Sequence, residues 1–154
     1  MPVTIAEEHP LTPDLSLMLQ RHTADMHADT PPESIHMMDK DALAAPGIRF
    51  FVLREDGKAL AMGAYKRIDA THAEIKSMHV LAEARGRGLS KAMLDHLIAA
   101  ARADGFRRLS LETGVQPTFT AARALYARAG FHECPPFEGY WDDPNSVFMT
   151  KVLA

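Results

Sequence analysis

Met78-His79-Val80-Leu81-Ala82-Glu83-Ala84-Arg85-Gly86-Arg87-Gly88-Leu89-Ser90-Lys91 joins a run of strand formers to a run of helix formers through a basic turn that holds two glycines. A helix opening here leaves its first N–H groups unpaired and carries partial positive charge at that end. Glycine lets a ligand approach the backbone with no Cβ in the way. Arg85, Arg87 and Lys91 add full charges. Open N–H groups, glycines and cations are together what a pyrophosphate site requires. The same residues also suit a plain strand–helix junction with a solvated basic face, because Gly-x-Gly is common at such junctions. Two other phosphate signatures do not fit. A dinucleotide fingerprint needs a third glycine and an early parallel strand. A Walker loop needs Gly-Lys-Ser/Thr, which is absent.

Downstream, Leu89, Met93, Leu97 and Ala101 trace one helical stripe, widened by Leu94 and Ile98, and Gly105 ends it. Arg108–Thr113 reads as a strand with Leu109 and Leu111 inward. Thr118 or Thr120 caps a helix through Ala129, closed by Gly130. Phe131–Cys134 starts a strand, Pro135–Asn145 is a long aromatic and acidic loop, and Ser146–Leu153 is a last strand. Upstream, Ala73–Val80 is a strand, preceded by Ile48–Glu55 and Ala59–Ile68 around the hairpin signal Asp56-Gly57. Val3–Ala6 is a short first strand. Pro13 opens a helix with Leu15, Leu19, His22 and Met26 on one side, ended by Thr30-Pro31-Pro32. A second short helix runs through Ile35, Met38 and Leu43, with Met37-Met38 as core, and Pro46-Gly47 stops it. The order β-α-α-β-β-β-α-β-α-β-β describes a mixed sheet in an α+β or mixed α/β layer fold. The strands around the Leu89–Asp104 helix are expected as parallel neighbours with a right-handed crossover.

The bulk properties limit the setting. The 154 residues suit a single domain over 1–154. Apolar residues at 47% and charged residues at 24% mark a globular chain. No apolar run is long enough for a bilayer, Met1–Pro10 has no apolar signal core, and Cys134 is the one cysteine. These favour a reduced, cytoplasmic protein. A net charge of −3 argues against nucleic acid as partner. His22 and His27 lack the i, i+4 spacing and no His-Glu-x-x-His occurs, so no metal is expected. Cys134 has no evident base, so it is not read as a nucleophile.

Arg85-Gly86-Arg87-Gly88-Leu89-Ser90 resembles the Gln/Arg-x-x-Gly-x-Gly/Ala signature of the GNAT superfamily of N-acetyltransferases, with Ser90 in place of the last small residue. Ala122-Arg123-Ala124-Leu125-Tyr126-Ala127-Arg128-Ala129-Gly130-Phe131 resembles the family's second motif, Ala-x-x-Leu-Tyr-x-x-x-Gly-Phe. The likeness runs from Phe50 to Leu153. Ala73–Met78 and Leu111-Glu112-Thr113-Gly114 look like the branch labelled small-molecule or auxin-type acetyltransferases.

The resemblance implies a mostly antiparallel sheet flanked by helices, with two parallel strands splayed to admit acetyl-CoA as cosubstrate. Met78, His79 and Val80 are then expected to pair with the pantetheine arm, on a strand that carries a bulge. Arg85, Gly86, Arg87, Gly88, Leu89, Ser90 and Lys91 are expected to hold the pyrophosphate. Tyr126 matches the tyrosine that serves the leaving thiolate; without the motif it reads as a packed aromatic beside Leu125 and Phe131. Glu74 matches a glutamate base; otherwise it is a surface carboxylate paired with Lys76. His79 and His72 compete for the base role. The acceptor pocket is expected between Met26–Met38 and Phe137–Asn145, where Tyr140, Trp141, Asp142 and Asp143 suit an aromatic or cationic group. The leading expectation is acetyl transfer to the amine of a small molecule by direct attack in a ternary complex. Peptide or protein acetylation on the same fold, and a non-catalytic acyl-CoA-binding module, are the alternatives. The C-terminal strands offer an edge for a homodimer.

Overall fold

The computed structural model describes residues 3–31 and 40–153. Most of the expected second helix, with Met37-Met38, lies outside the described residues. The strands are β1 (Val3–Glu7), β2 (Ile48–Glu55), β3 (Lys58–Arg67), β4 (His72–Val80), β5 (Arg108–Gly114), β6 (His132–Glu133) and β7 (Ser146–Val152). The helices are α1 (Ser16–Asp29), α2 (Lys40–Leu43), α3 (Leu89–Ala103) and α4 (Thr120–Arg128). One seven-stranded sheet takes the order β1-β2-β3-β4-β5-β7-β6. β4 and β5 pair in parallel, and every other neighbouring pair is antiparallel.

Local chemistry explains the sheet's shape. Asp56 (φ 52°) and Gly57 (φ 80°) both adopt the left-handed backbone that a two-residue hairpin between β2 and β3 demands. Against β3, β4 skips register between Met62 and Ala64, and Ser77 sits at φ 57°. This bulge gives β4 one extra residue and turns the side chains beyond it. β4 and β5 are joined through α3 and pair only at His72↔Arg108, Ala73↔Leu109 and Glu74↔Ser110. From Ile75 onward β4 has no pairing with β5, while β5 continues beside β7 to Gly114↔Ser146.

The apolar stripe expected on α3 is its buried face: Leu89, Met93, Leu94, Leu97, Ile98 and Ala101. It lies against β3 at Gly63, where an added Cβ would stand 2.9 Å from Met93 Cγ. Pairing parity then puts Tyr65, Ile75, Ala73 and Leu109 on the α3 side, and Glu74, Ser110 and Glu112 on the other. Arg49 donates to Glu7 (3.0 Å) and Asp104 (2.9 Å), which ties the first strands to the end of α3.

Two local readings differ from what forms. No threonine side chain caps α4. Pro117–Phe119 makes a 3-10 turn, bonded from Phe119 N–H to Gln116 and Thr120 N–H to Pro117, that leads straight into α4 and puts Phe119 at its N-cap. Arg123 reaches back instead, donating to the carbonyls of Gly114 (2.6 Å) and Gln116 (3.3 Å). The strand expected over Phe131–Cys134 is only His132–Glu133, because Pro135 and Pro136 have no N–H to continue the ladder.

The contact at Gly63 yields a stability prediction. Met93 and Leu97 are fully buried, so a larger residue at Gly63 must displace core side chains. Gly63→Val is expected to lower unfolding stability by about 1–3 kcal/mol, read from urea denaturation midpoints at unchanged slope.

Candidate active site

The splay of β4 from β5 opens a cleft of about 1030 Å³ that runs past the start of α3 and along α4, with α1 on the other side. Met78, His79 and Val80 line it from β4, and Arg85, Gly86, Gly88, Leu89, Ser90 and Lys91 line it from the turn and first helical residues. Gly86 (φ 81°) and Gly88 (φ 77°) hold left-handed backbone, and a Cβ on either would meet nothing within 4 Å. Gly88 is the N-cap of α3 and makes no side-chain cap, so the α3 N-terminus faces the cleft with donors that an anion can take. A pyrophosphate fits this cradle of open backbone.

The cations are less free than their count suggests. Arg85 donates to the Val80 carbonyl (3.2 Å) and pairs with Asp25 of α1 (3.1 Å). Lys91 pairs with Asp95 (2.6 Å). Arg87 does not line the cleft; its guanidinium pairs with Glu55 at the end of β2 (2.5 Å). His79 is buried, and its Nε2 has no hydrogen-bond partner among the described residues. Its ring meets His22 of α1 edge to face at 5.3 Å. Burial pulls both imidazoles down, His22 to about 4, so both are neutral at pH 7.

A second cavity of about 120 Å³ meets the cleft where both touch His22, Met26, Met78, Phe119, Ala122 and Tyr126. Its polar wall is Glu74, Lys76, Glu112 and Tyr140. Glu74 is 1% exposed on an interior strand, not a surface group. The Tyr140 hydroxyl donates to Glu74 Oε2 (2.5 Å) and accepts from Lys76 Nζ (2.6 Å), and Lys76 stands 3.2 Å from Glu74. The pairing with Lys76 therefore forms, but in the interior. Burial pushes the Glu112 carboxyl up to about 7. Burial, then the nearby Glu112 charge, pushes the Tyr126 phenol up to about 12. Tyr126 also packs edge to face on Phe131 at 5.8 Å, so the packing role and a place at the junction of the cavities coexist.

The other expected site residues are spread out. Of the late aromatic and acidic residues, Tyr140 lines the small cavity; Trp141 is exposed and Asp143 is buried beside the Asn145 N–H. His72 lines neither cavity and bonds Ser110 Oγ at 2.6 Å. His22, Asp25 and Glu112 are not singled out as site residues by sequence. Strand alternation was the available signal for Glu112, since it sits opposite Leu109 and Leu111 on β5. Among the described residues no group of three or more His, Cys, Asp or Glu could hold a metal. No helix among them is long and apolar enough to cross a membrane.

Comparison with known proteins adds independent findings. The family described as Acetyltransferase (GNAT) family matches residues 15–131. The chain is 43% identical to the uncharacterized N-acetyltransferase YsnE of Bacillus subtilis, over 88% of this chain and 90% of that one. It is 38% identical to the IAA acetyltransferase of Azospirillum brasilense, over 98% of each. A GNAT family acetyltransferase from Elizabethkingia anophelis, solved with acetyl-CoA bound, has the same fold, with a TM-score of 0.70 and 19% identity, over 97% of each chain.

The glycine cradle yields a binding prediction. Gly88→Gln puts a side chain into the open space at the α3 N-terminus. CoA affinity is expected to fall at least about tenfold by calorimetry in protein whose circular dichroism matches wild type.

Proposed function

The chain belongs to the GNAT acetyltransferase family, and from that premise we propose that it moves an acetyl group from acetyl-CoA to the amine of a small molecule by direct attack within a ternary complex. The observation that carries this reading is the meeting of two cavities at Tyr126. The large cleft suits an extended donor with its pyrophosphate at Gly86–Gly88. The small cavity suits a compact acceptor. Tyr140, drawn down onto Glu74 and Lys76, narrows it in a way that favours a small molecule over a peptide.

The chain's own groups divide the chemistry. An amine arrives mostly as ammonium at pH 7, with a pKa of about 10.4. Glu112 takes one proton from it, because its carboxyl titrates near 7 and lines the small cavity. Glu74 is also a candidate base by family resemblance. Its bond from Tyr140 and its contact with Lys76 suit it better to positioning the acceptor. The nitrogen pair forms the new bond to the acyl carbon, and the carbon–sulfur pair leaves with sulfur. Tyr126 stays protonated in its buried place and donates to the departing thiolate, regaining a proton from the acylated nitrogen. His79 and His22 remain neutral and flank the reacting groups.

Tyr126→Phe removes a hydroxyl and little volume. Turnover is expected to fall roughly 10²–10⁴-fold while CoA affinity is kept, measured by thiol release and calorimetry. Wild-type turnover in this variant rules out the leaving-group role.

The carboxylates separate by pH profile. The base form of Glu112 grows as pH rises through about 7, so the rate of the wild-type enzyme is expected to climb through that range. Glu112→Gln is expected to remove this climb. Glu74→Gln is expected to lower the rate at every pH and keep it. The reverse pattern assigns the base to Glu74.

A further inference from the structure

We propose that Arg128 reads the phosphate ester on the ribose of the cofactor's adenosine, and so makes the enzyme prefer CoA to dephospho-CoA; this rests on the large cleft being the acetyl-CoA site. Arg85, Lys91 and Arg128 are the cations that line the cleft. Arg85 is paired with Asp25 at 3.1 Å and Lys91 with Asp95 at 2.6 Å, and both carboxylates line the cleft too. Arg128 is exposed and has no ion pair or hydrogen bond to a side chain among the described residues. It supplies the uncompensated positive charge of the cleft.

Position gives that charge its target. α4 turns one face, Ala122 and Tyr126, to the junction of the two cavities and another, Ala121, Leu125 and Arg128, to the large cleft alone. Arg128 stands in the last turn of α4 and lines the large cleft, not the small cavity. With the thioester at Tyr126 and the pyrophosphate at the α3 N-terminus, the adenosine lies beyond both. The pyrophosphate has backbone donors and Arg85 to hold it. The ribose phosphate is a separate dianion that needs its own partner, and a guanidinium meets it with two parallel bonds. Arg128 also complements the C-terminal dipole of α4, but that role affects stability and makes no distinction between ligands.

The test measures affinity for CoA and dephospho-CoA by calorimetry in the wild type, Arg128→Gln and Arg128→Lys. Wild type is expected to bind CoA about tenfold tighter at low salt, with the preference shrinking at high salt because the contact is exposed. Arg128→Gln is expected to bind the two ligands alike, at the wild-type affinity for dephospho-CoA, and Arg128→Lys to keep part of the preference. Equal binding of both ligands by the wild type, or an equal loss for both in Arg128→Gln, overturns the proposal. Wild-type protein that binds neither ligand overturns the acetyl-CoA reading itself.

Discussion

The architecture depends on a pairing that stops. β4 and β5 share three paired positions and then separate. Parallel strands in one sheet are joined by a crossover helix, and here α3 begins at the mouth of the gap its strands leave. The gap thus opens where helix N–H groups, left-handed glycines and the free edge of β4 converge. The bulge at Ser77 belongs to the same arrangement, because it reorients Met78–Val80 relative to the first half of the strand. The first half of β4 then serves the small cavity through Glu74 and Lys76, and the second half serves the cleft.

Burial gives the site its proton chemistry. Glu112 and Tyr126 differ by chemical type, yet both are driven toward their protonated forms by removal from water. For the carboxyl this brings titration into the neutral range, where a base is useful. For the phenol it keeps the proton in place for donation. Glu74 sits in the same wall, 3.2 Å from Lys76 and bonded by the Tyr140 hydroxyl. Two carboxylates a strand apart therefore receive different hydrogen-bond partners. The histidines, common candidates for such work, lose their charge to the same burial.

The cations of the basic turn show a second effect of packing. In sequence Arg85, Arg87 and Lys91 form one positive group. In the fold each has its own carboxylate, from α1, β2 and α3 respectively. Backbone geometry, more than net charge, makes the α3 N-terminus attractive to a phosphate, and the ion pair to Asp25 links α1 to the turn.

The sequence alone determined the element order, the hairpin at Asp56-Gly57, the α3 stripe and the glycine turn, because each rests on periodicity or local backbone preference within a few residues. The two motifs also located Tyr126 and the turn residues that line the cleft. What needed the tertiary structure is what depends on residues far apart in the chain. Only the fold brings Glu74, Glu112 and Tyr140 around one cavity, turns Arg87 away from the large cleft, and seats His22 against His79. The short β6 and the uncapped α4 belong there too, since prolines and a 3-10 turn decided them once the chain was in place. Protonation follows from burial, and burial is a property of the packed sheet and helices, which no local pattern of residues encodes.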